Sequence, residues 1–376
     1  MSERGIEDRP LITFALFAYN QEQFIEEAIR GAFSQTYSPL EIILSDDCST
    51  DRTFEIMKEM AQRYEGPHKI ILNRNENNLG ICAHVNRVIL DVSSGDLIVL
   101  AAGDDVSIAE RTETLWCAWA ATNRKYSLMA SGYIKVDAGG RAIADVAVEE
   151  NKAITDKTEL MANTGRRQGC VLMGCTFCLH RSIFTLFGPL IIRNIEDGAI
   201  VARAGLLTGV LAVCAVLVKY RSHEKCITAA KDARAAVVKF ARMRQETYLQ
   251  TLVDIQSMRD RAGPDLREVE GIEHRIRRLL AMQDLIVYFA ESRCARRVIL
   301  SPIIWCMFRF SVAKEIHAAC FPRLYSAFKG LVHWRKEKRP RGRVEAAAVF
   351  PGCRPVRGYF HTQIIVKSKR CRAIRE

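Results

Sequence analysis

Four short apolar segments, separated by amphipathic helical patterns, constrain the fold of this chain more than any other feature of its sequence. Each is rich in β-branched and large apolar residues, as buried strands are. They are residues 11–19, 41–45, 69–73 and 96–102. Between the first two, apolar residues recur every three or four positions up to Phe33, so we predict a helix that begins at Asn20. This alternation predicts an α/β protein with a mostly parallel central sheet flanked by helices.

Two adjacent aspartates follow the fourth apolar segment. That segment ends at Gly103, and Asp104 and Asp105 come next. Open α/β sheets bind their ligands at the carboxyl ends of strands, so we expect both carboxylates at the ligand-binding edge. Adjacent carboxylates repel each other unless a cation lies between them, and a divalent metal ion that carries a phosphate is the usual occupant. The pair therefore predicts an enzyme.

The second half of the chain has a different pattern. From about residue 127 to 190 the alternation breaks down into shorter, irregular segments. The longest apolar stretch, 204–218, has 15 residues, fewer than the ~20 that a membrane-spanning helix needs. We predict a buried helix, a turn at Gly209 and then a strand. Two long helices, forming a helical extension, are predicted over 230–261 and 265–297.

The basic charge of the chain is concentrated at its end. Of a net charge of +12, residues 301–376 contribute 17 Lys and Arg against 4 Asp and Glu, so the first 300 residues are nearly neutral. This tail mixes aromatic and basic residues, a pattern typical of segments that lie on an anionic membrane surface. A packed helical subdomain is the alternative, and we expect 341–376 to be disordered.

The compartment is predicted from the beginning of the chain and from its cysteines. The N-terminal residues are charged and lack the apolar stretch of an export signal. The 13 cysteines are scattered and show no pairing pattern. We therefore expect a reducing, cytoplasmic compartment with free thiols.

A series of short motifs follows between residues 10 and 228. They are Tyr19-Asn20, Gln35-Thr36-Tyr37, Asp46 to Asp51, the segment NNLGICAHVN that contains Asn78, Gly103-Asp104-Asp105, Glu196-Asp197 and the segment VKYRSH that ends in His223. In this order the motifs closely resemble family 2 glycosyltransferases, which have the GT-A nucleotide-sugar transferase fold. The resemblance implies a catalytic domain over 1–228, followed by the helical extension over 229–300 and the tail over 301–376.

The resemblance implies a nucleoside-diphosphate sugar as the donor. A carboxylate at Asp47 can accept an N–H group of the base, and Tyr19 can stack on the base or bond the ribose. Asp46 and Asn78 are further nucleotide-binding candidates. For Asp46 and Asp47 the alternative is a capping role at the following helix, and for Tyr19 it is a half-buried strand aromatic.

The resemblance also implies a divalent metal ion, Mg²⁺ or Mn²⁺. Asp105 is the expected ligand, and Asp104 would share the metal or bind the ribose hydroxyls. His223 could complete the metal shell, and Arg221 could neutralise the diphosphate. Arg203 could bond phosphate or orient Asp197. For His223 and Arg221 the alternative is a solvated loop with an ordinary ion pair.

A second acidic pair, Glu196 and Asp197, begins an apolar helix. A carboxylate there can take the proton from an acceptor hydroxyl as its oxygen attacks the sugar. We favour Asp197 as this base and keep Glu196 as the alternative. Attack opposite the leaving diphosphate implies inversion at the anomeric carbon. The structural alternative is an acidic helix start.

The sequence therefore predicts a metal-dependent, inverting glycosyltransferase that acts on a hydroxyl of a glycan or lipid-linked acceptor in cell-surface polysaccharide synthesis. We expect it to be peripheral on the cytoplasmic face of the membrane. The alternatives are a nucleotide-sugar-binding protein without transfer activity and a basic nucleic-acid-binding or scaffold protein. Nucleic acid is not the expected partner, because the body of the chain lacks the basic charge.

Overall fold

The computed structural model describes most of the first 291 residues. The described residues are 9–146, 150–161, 172–224, 233–262 and 267–291. Predictions for the basic tail, 301–376, lie outside the described residues.

A ten-stranded sheet forms the centre of the described structure. Its strands are β1 (Ile12–Ala18), β2 (Leu40–Asp46), β3 (Lys69–Arg74), β4 (Leu97–Ala102), β5 (Val106–Ser107), β6 (Leu128–Val136), β7 (Ala142–Val146), β8 (Lys152–Ile154), β9 (Phe177–His180) and β10 (Val210–Arg221). The order along the sheet is β3-β2-β1-β4-β9-β6-β10-β5, with β7 beside β6 and β8 beside β10. Six strands, β1 to β4, β6 and β10, run in one direction. The prediction of a mostly parallel sheet is confirmed.

Helices cover both faces of this sheet. They are α1 (Ile25–Phe33), α2 (Thr53–Gln62), α3 (Ile81–Arg87), α4 (Arg111–Ala121), α5 (Lys157–Met161), α6 (Ser182–Thr185), α7 (Glu196–Leu207), α8 (Ala233–Ala262) and α9 (Arg267–Glu291). A π-helical turn, Val88–Val92, continues α3, and a 3₁₀ turn, Gly174–Thr176, precedes β9. The two long helices predicted after residue 228 correspond to α8 and α9.

Two apolar cores lie on opposite faces of the sheet. Helices α1, α2 and α4 pack on one face, where Phe14 and Leu16 of β1 point. Helices α3 and α7 pack on the other, where Ala15 and Phe17 point. Because both faces are covered, all seven residues of β1 and of β2 are buried. The mainly apolar sequence of β1 and the apolar residues 42–44 of β2 follow from this burial.

A third apolar cluster joins the helical extension to the body. Tyr248 and Ile255 of α8 and Ile276 of α9 pack with Ala202 and Leu206 of α7. Helix α7 thus has one side in the sheet core and another against α8. The extension is packed on the helix that begins with the second acidic pair.

The apolar stretch 204–218 behaves as the sequence predicts. It contains the end of α7, a turn and the first part of β10. Gly209 has a φ of +89°, and a Cβ there would lie 2.4 Å from the carbonyl oxygen of Ile154, so only glycine fits this turn. No helix in the described part of the chain is long and apolar enough to cross a membrane.

The predicted start of the first helix is wrong by five residues. Helix α1 begins at Ile25, because Asn20 has a φ of +52° and cannot belong to a right-handed helix. The backbone N–H of Asn20 donates to Ser49 Oγ at 2.9 Å, and its Oδ1 accepts the N–H of Thr50 at 2.8 Å. Asn20 therefore ties the end of β1 to the loop after β2.

We expect Asn20→Ala to lower the free energy of unfolding by about 2 kcal/mol, because it adds left-handed strain and removes an acceptor. Asn20→Gly removes the same acceptor without the strain and should cost less. Urea unfolding measures both. Exposed Asn123, with a φ of +54°, provides the control, since Asn123→Ala reports the backbone cost. Equal stability of the Ala and Gly variants at position 20 would contradict the assignment.

Candidate active site

The first acidic pair is fixed from behind by the end of β10. Asp105 is buried, with 5% of its surface exposed. Its Oδ1 accepts the backbone N–H of Arg221 at 2.8 Å, and Arg221 Nε donates to the carbonyl of Asp104 at 3.0 Å. The last residue of β10 therefore holds the loop after β4. These two strands are far apart in the sequence.

Burial dominates the electrostatics of Asp105. Burial, followed by repulsion from Asp104, raises the pKa of Asp105 to about 8. A hydrogen bond from the thiol of Cys175 and the charge of Arg111 act in the opposite direction. These favourable contacts offset only part of the cost of a charge at this position. A cation beside the pair would stabilise its ionised form.

Arg111 is a site residue that sequence reasoning missed. Its guanidinium is fully buried and donates to Ser107 Oγ at 2.9 Å and to the carbonyl of Leu100 at 2.8 Å. Burial lowers the pKa of Arg111 to about 10. It supplies a positive charge behind Asp105, at the start of α4. No sequence motif distinguishes Arg111 from an exposed arginine.

The second acidic pair lies at the start of α7. Glu196 and Asp197 are both partly buried, and Asp197 Oδ1 accepts the backbone N–H of Gly198 at 2.6 Å. Burial, followed by repulsion from Asp197, raises the pKa of Glu196 to about 8. Burial also raises the pKa of Asp197. The pair therefore retains a proton at neutral pH, while its other carboxyl group can be ionised.

The turn Gly174–Thr176 joins the two acidic pairs. Gly174 lies beside Asp197, since a Cβ there would be 3.4 Å from Asp197 Cβ, and the next residue, Cys175, is close enough to Asp105 to lower the pKa of that carboxyl group. A Cβ at Gly174 would lie 2.9 Å from Glu196 Oε1, so the turn touches the second pair directly. Adjacent residues of one turn thus contact both pairs. The structure brings Asp105 and Asp197 to one site.

Asp47 orders the loop that follows β3. Its Oδ1 accepts Nδ2 of Asn75 at 2.8 Å and the N–H of Leu79 at 2.9 Å, and its Oδ2 accepts the N–H of Gly80 at 2.9 Å. Exposed Asn78 lies in the same loop and donates to the carbonyl of Asp47 at 3.3 Å. In this structure the carboxylate of Asp47 therefore accepts hydrogen bonds from the protein itself, two of them from backbone N–H groups.

Tyr19 and Asp46 lie near this loop but differ in exposure. Tyr19 follows β1 and has 46% of its surface exposed, so its ring is accessible. Asp46 is fully buried, accepts the N–H of Ser49 at 2.9 Å and pairs with Arg74 at 3.4 Å. The prediction that Asp46 contacts a nucleotide is therefore corrected: it stabilises the turn after β2.

The two predicted phosphate-binding arginines have protein partners instead. Arg203 is fully buried and forms a bidentate ion pair with Asp254 of α8, at 2.9 and 3.0 Å. Arg221 has 2% of its surface exposed and donates to Glu27 Oε2 at 2.8 Å and to the carbonyl of Ala138 at 2.8 Å. Both predictions of a diphosphate contact are corrected, because these guanidinium groups face the protein interior.

The predicted metal ligands do not form a closed set. His223 Nε2 lies 2.9 Å from Asp104 Oδ2, and its ring packs against Phe24 at 4.8 Å. Among the described residues, no three His, Cys, Asp or Glu side chains are grouped to hold a metal ion. Mg²⁺ is commonly held by one or two carboxylates together with substrate phosphates and water. Asp104 and Asp105 fit that donor set without His223.

The sheet order and the acidic pair at the carboxyl end of β4 define the class of nucleotide-sugar transferases with the GT-A fold. The crystal structure of TarS residues 1–349 from S. aureus, in complex with UDP-GlcNAc, has this architecture. It superimposes with a TM-score of 0.52 at 15% identity, covering 87% of each chain. At this identity the likeness concerns the fold alone.

Comparison of the sequence with protein-family models finds one similar family. Residues 13–187 match the model of the family described as "Glycosyl transferase family 2". The match covers 175 of the 376 residues, so the resemblance to this family concerns this segment of the chain. Its helical extension begins after the matched residues end.

Two relatives from Bacillus subtilis carry glycosyltransferase names. "Putative glycosyltransferase EpsE" is 34% identical over 131 residues, which are 35% of this chain and 46% of the relative. "Putative teichuronic acid biosynthesis glycosyltransferase TuaG" is 28% identical over 136 residues, which are 34% of this chain and 52% of the relative. The chain thus matches about half the length of these relatives.

The raised pKa of Glu196 predicts a pH dependence of stability. The pKa is about 8 in the folded protein, against 4.5 as the ordinary value. The stabilising contribution is therefore complete below about pH 4.5 and is lost as the pH rises to about 8. We expect the free energy of unfolding to fall across this window, and Glu196→Gln to reduce the fall. Urea titrations across this pH range measure it.

The control is Glu59→Gln on the exposed side of α2, which should keep the wild-type pH dependence. A Glu196→Gln variant whose stability changes with pH as strongly as the wild type would contradict the burial of that charge.

Proposed function

We propose that this protein is an inverting glycosyltransferase that moves a sugar from a nucleoside-diphosphate donor to a hydroxyl group of an acceptor. One observation carries the proposal. Gly174 lies beside the pair Glu196–Asp197 and the next residue, Cys175, lies near Asp105, which supports one site with Asp105 on the donor side and the second pair on the acceptor side. Transfer to a hydroxyl needs both groups close to the same anomeric carbon.

On the donor side, Asp105 and Asp104 would hold Mg²⁺ or Mn²⁺. The bound ion would neutralise the phosphates and stabilise the charge of the leaving nucleoside diphosphate. The raised pKa of Asp105 supports this role, because it marks a carboxylate whose ionisation a cation would favour. Arg111 and the N–H of Arg221 keep Asp105 in place from the protein side.

The nucleotide would lie between Tyr19 and the loop that Asp47 orders. The exposed ring of Tyr19 can stack on a base, and exposed Asn78 can reach the ribose or base. Asp47 holds the loop through three hydrogen bonds and so shapes this side of the site. The UDP-GlcNAc bound by TarS, which shares the fold, supports a nucleotide-sugar donor.

On the acceptor side, Asp197 is the proposed base. Burial raises the pKa of both carboxyl groups of the pair, and a carboxyl group with a raised pKa holds an accepted proton more readily. The acceptor oxygen would attack the sugar on the face opposite the diphosphate, and the anomeric configuration would invert. The proton of the acceptor hydroxyl moves to Asp197 as the new bond forms.

The acceptor is proposed to be a lipid-linked glycan in the synthesis of cell-surface polysaccharide. The name of the relative TuaG supports an envelope glycan. The basic, aromatic sequence of residues 301–376 supports attachment to an anionic membrane surface on its cytoplasmic side. A nucleotide-sugar-binding protein without transfer activity is less well supported, because both acidic pairs are present at one site.

Two substitutions separate the roles of the acidic pairs. Asp197→Asn should lower the transfer rate by about 10² to 10⁴ because the base is lost, with donor binding retained. Asp105→Ala should abolish transfer and also weaken nucleotide binding that depends on metal. Asp91→Asn is a control, since Asp91 is exposed and pairs only along its helix with Arg87. Turnover retained in both site variants would contradict the assignment.

The donor can be identified by thermal shift. UDP-, GDP- and dTDP-sugars are each added to the protein with and without Mn²⁺. We expect one nucleotide to raise the melting temperature more than the others, and more strongly with Mn²⁺, because ligand binding stabilises the folded state. Asp105→Ala should remove the Mn²⁺-dependent part. The absence of any nucleotide-dependent shift would contradict a nucleotide-sugar site.

A further inference from the structure

Helix α8 carries three polar residues at intervals of four, Glu246, Gln250 and Asp254. Residues at this spacing lie on one side of a helix, and here that side faces the segment 188–194 and α7. We call these three residues the α8 stripe and residues 188–194 the acceptor-side loop. The loop leads directly into Glu196 and Asp197.

Glu246 holds the end of the acceptor-side loop. Its Oε2 accepts the backbone N–H groups of Arg193 at 3.0 Å and Asn194 at 2.9 Å. Its Oε1 accepts Nδ2 of Asn194 at 2.6 Å. One carboxylate therefore makes three hydrogen bonds to two consecutive residues, and the second of them lies two positions before the start of α7. A carboxylate that accepts several N–H groups makes strong, directional contacts.

The remaining stripe residues continue the contact toward α7. Gln250 Oε1 accepts the N–H of Ile191 at 2.8 Å, and its Nε2 donates to Asp254 at 3.0 Å. Asp254 receives both hydrogen bonds of the ion pair with Arg203. The stripe is thus connected to the loop at two places and to α7 at a third.

Helix α3 holds the opposite side of the acceptor-side loop. Asn86 Nδ2 donates to the carbonyl of Leu190, and Asn86 Oδ1 accepts the N–H of Leu190, both at 2.8 Å. The loop is therefore fixed between α3 and α8 by reciprocal polar contacts. The side chain of Asn86 therefore satisfies both the N–H and the carbonyl group of Leu190.

We propose that Glu246 is a positioning residue that sets the location of Glu196 and Asp197 by holding the acceptor-side loop. The inference rests on the proposed function for its effect on transfer, but the loop contact itself does not depend on it. Helix α8 lies beyond the family-matched segment 13–187. The helical extension accordingly completes the acceptor side of the site and is more than an appended support.

The test compares two substitutions at position 246 with one control. Glu246→Ala removes all three acceptors. Glu246→Gln keeps an oxygen for both backbone N–H groups, and its amide can donate to Asn194 once that side chain turns over. The control is Gln245→Ala, which removes a hydrogen bond at 2.7 Å to Asp284 of α9 and no contact to the loop.

Hydrogen exchange gives the first measurement. In Glu246→Ala the amides of Arg193 and Asn194 should exchange at least ~10-fold faster, as the loss of one hydrogen bond predicts. In Glu246→Gln and in Gln245→Ala the same two amides should exchange at close to the wild-type rate. The contact between Glu246 and the loop would be contradicted if these amides exchanged at the wild-type rate in Glu246→Ala. It would also be contradicted if they exchanged as fast in Gln245→Ala as in Glu246→Ala.

Kinetics give the second measurement, with UDP-GlcNAc and Mn²⁺ as the probe, or the donor selected by thermal shift. Glu246→Ala should lower kcat by ~10-fold or more, with the donor KM within twofold of wild type, and Glu246→Gln should restore kcat. Faster exchange without a change in kcat would overturn the positioning role. If the wild type transfers no sugar, the proposed function fails. Hydrogen exchange alone then still decides whether Glu246 holds the acceptor-side loop.

Discussion

The need to bury carboxylates of like charge at one place governs how this site is built. Burial disfavours the charged form of an acid, and a second carboxylate nearby adds to the cost. The protein offsets part of it at Asp105 with the backbone N–H of Arg221 and the buried guanidinium of Arg111. The offset is partial, since the pKa of Asp105 remains at about 8. Because the negative charge of Asp105 is only partly compensated, the site favours a cationic ligand. A cation beside the loop after β4 is also what binding of a diphosphate there would require.

The turn Gly174–Thr176 makes the meeting of the two acidic pairs possible. Gly174 has no side chain where one would meet Glu196, and Cys175 turns its thiol toward Asp105. A Cβ at position 174 would lie 2.9 Å from Glu196 Oε1, so a larger residue there would require the end of the Glu196 side chain to shift.

Periodicity and strand ends predict a good part of this structure, because both are local properties. The apolar segments become β1 to β4, and Asp104 and Asp105 follow the end of β4, as predicted. The arginines were predicted less well, because their partners are distant. Arg203 meets Asp254 51 positions away, and Arg221 meets Glu27 194 positions away. No local pattern reveals such pairs, and the same is true of buried Arg111.

The ion pair between Arg203 and Asp254 has a consequence for how the chain can be divided. Both side chains are essentially removed from solvent, and a buried cation left without its anion is strongly destabilising. A fragment that stops after β10 would contain Arg203 but not its partner, together with apolar surface that α8 now covers. The sheet domain and the helical extension therefore share a buried interface, and removal of the extension would leave both the charge of Arg203 and this apolar surface without their present partners.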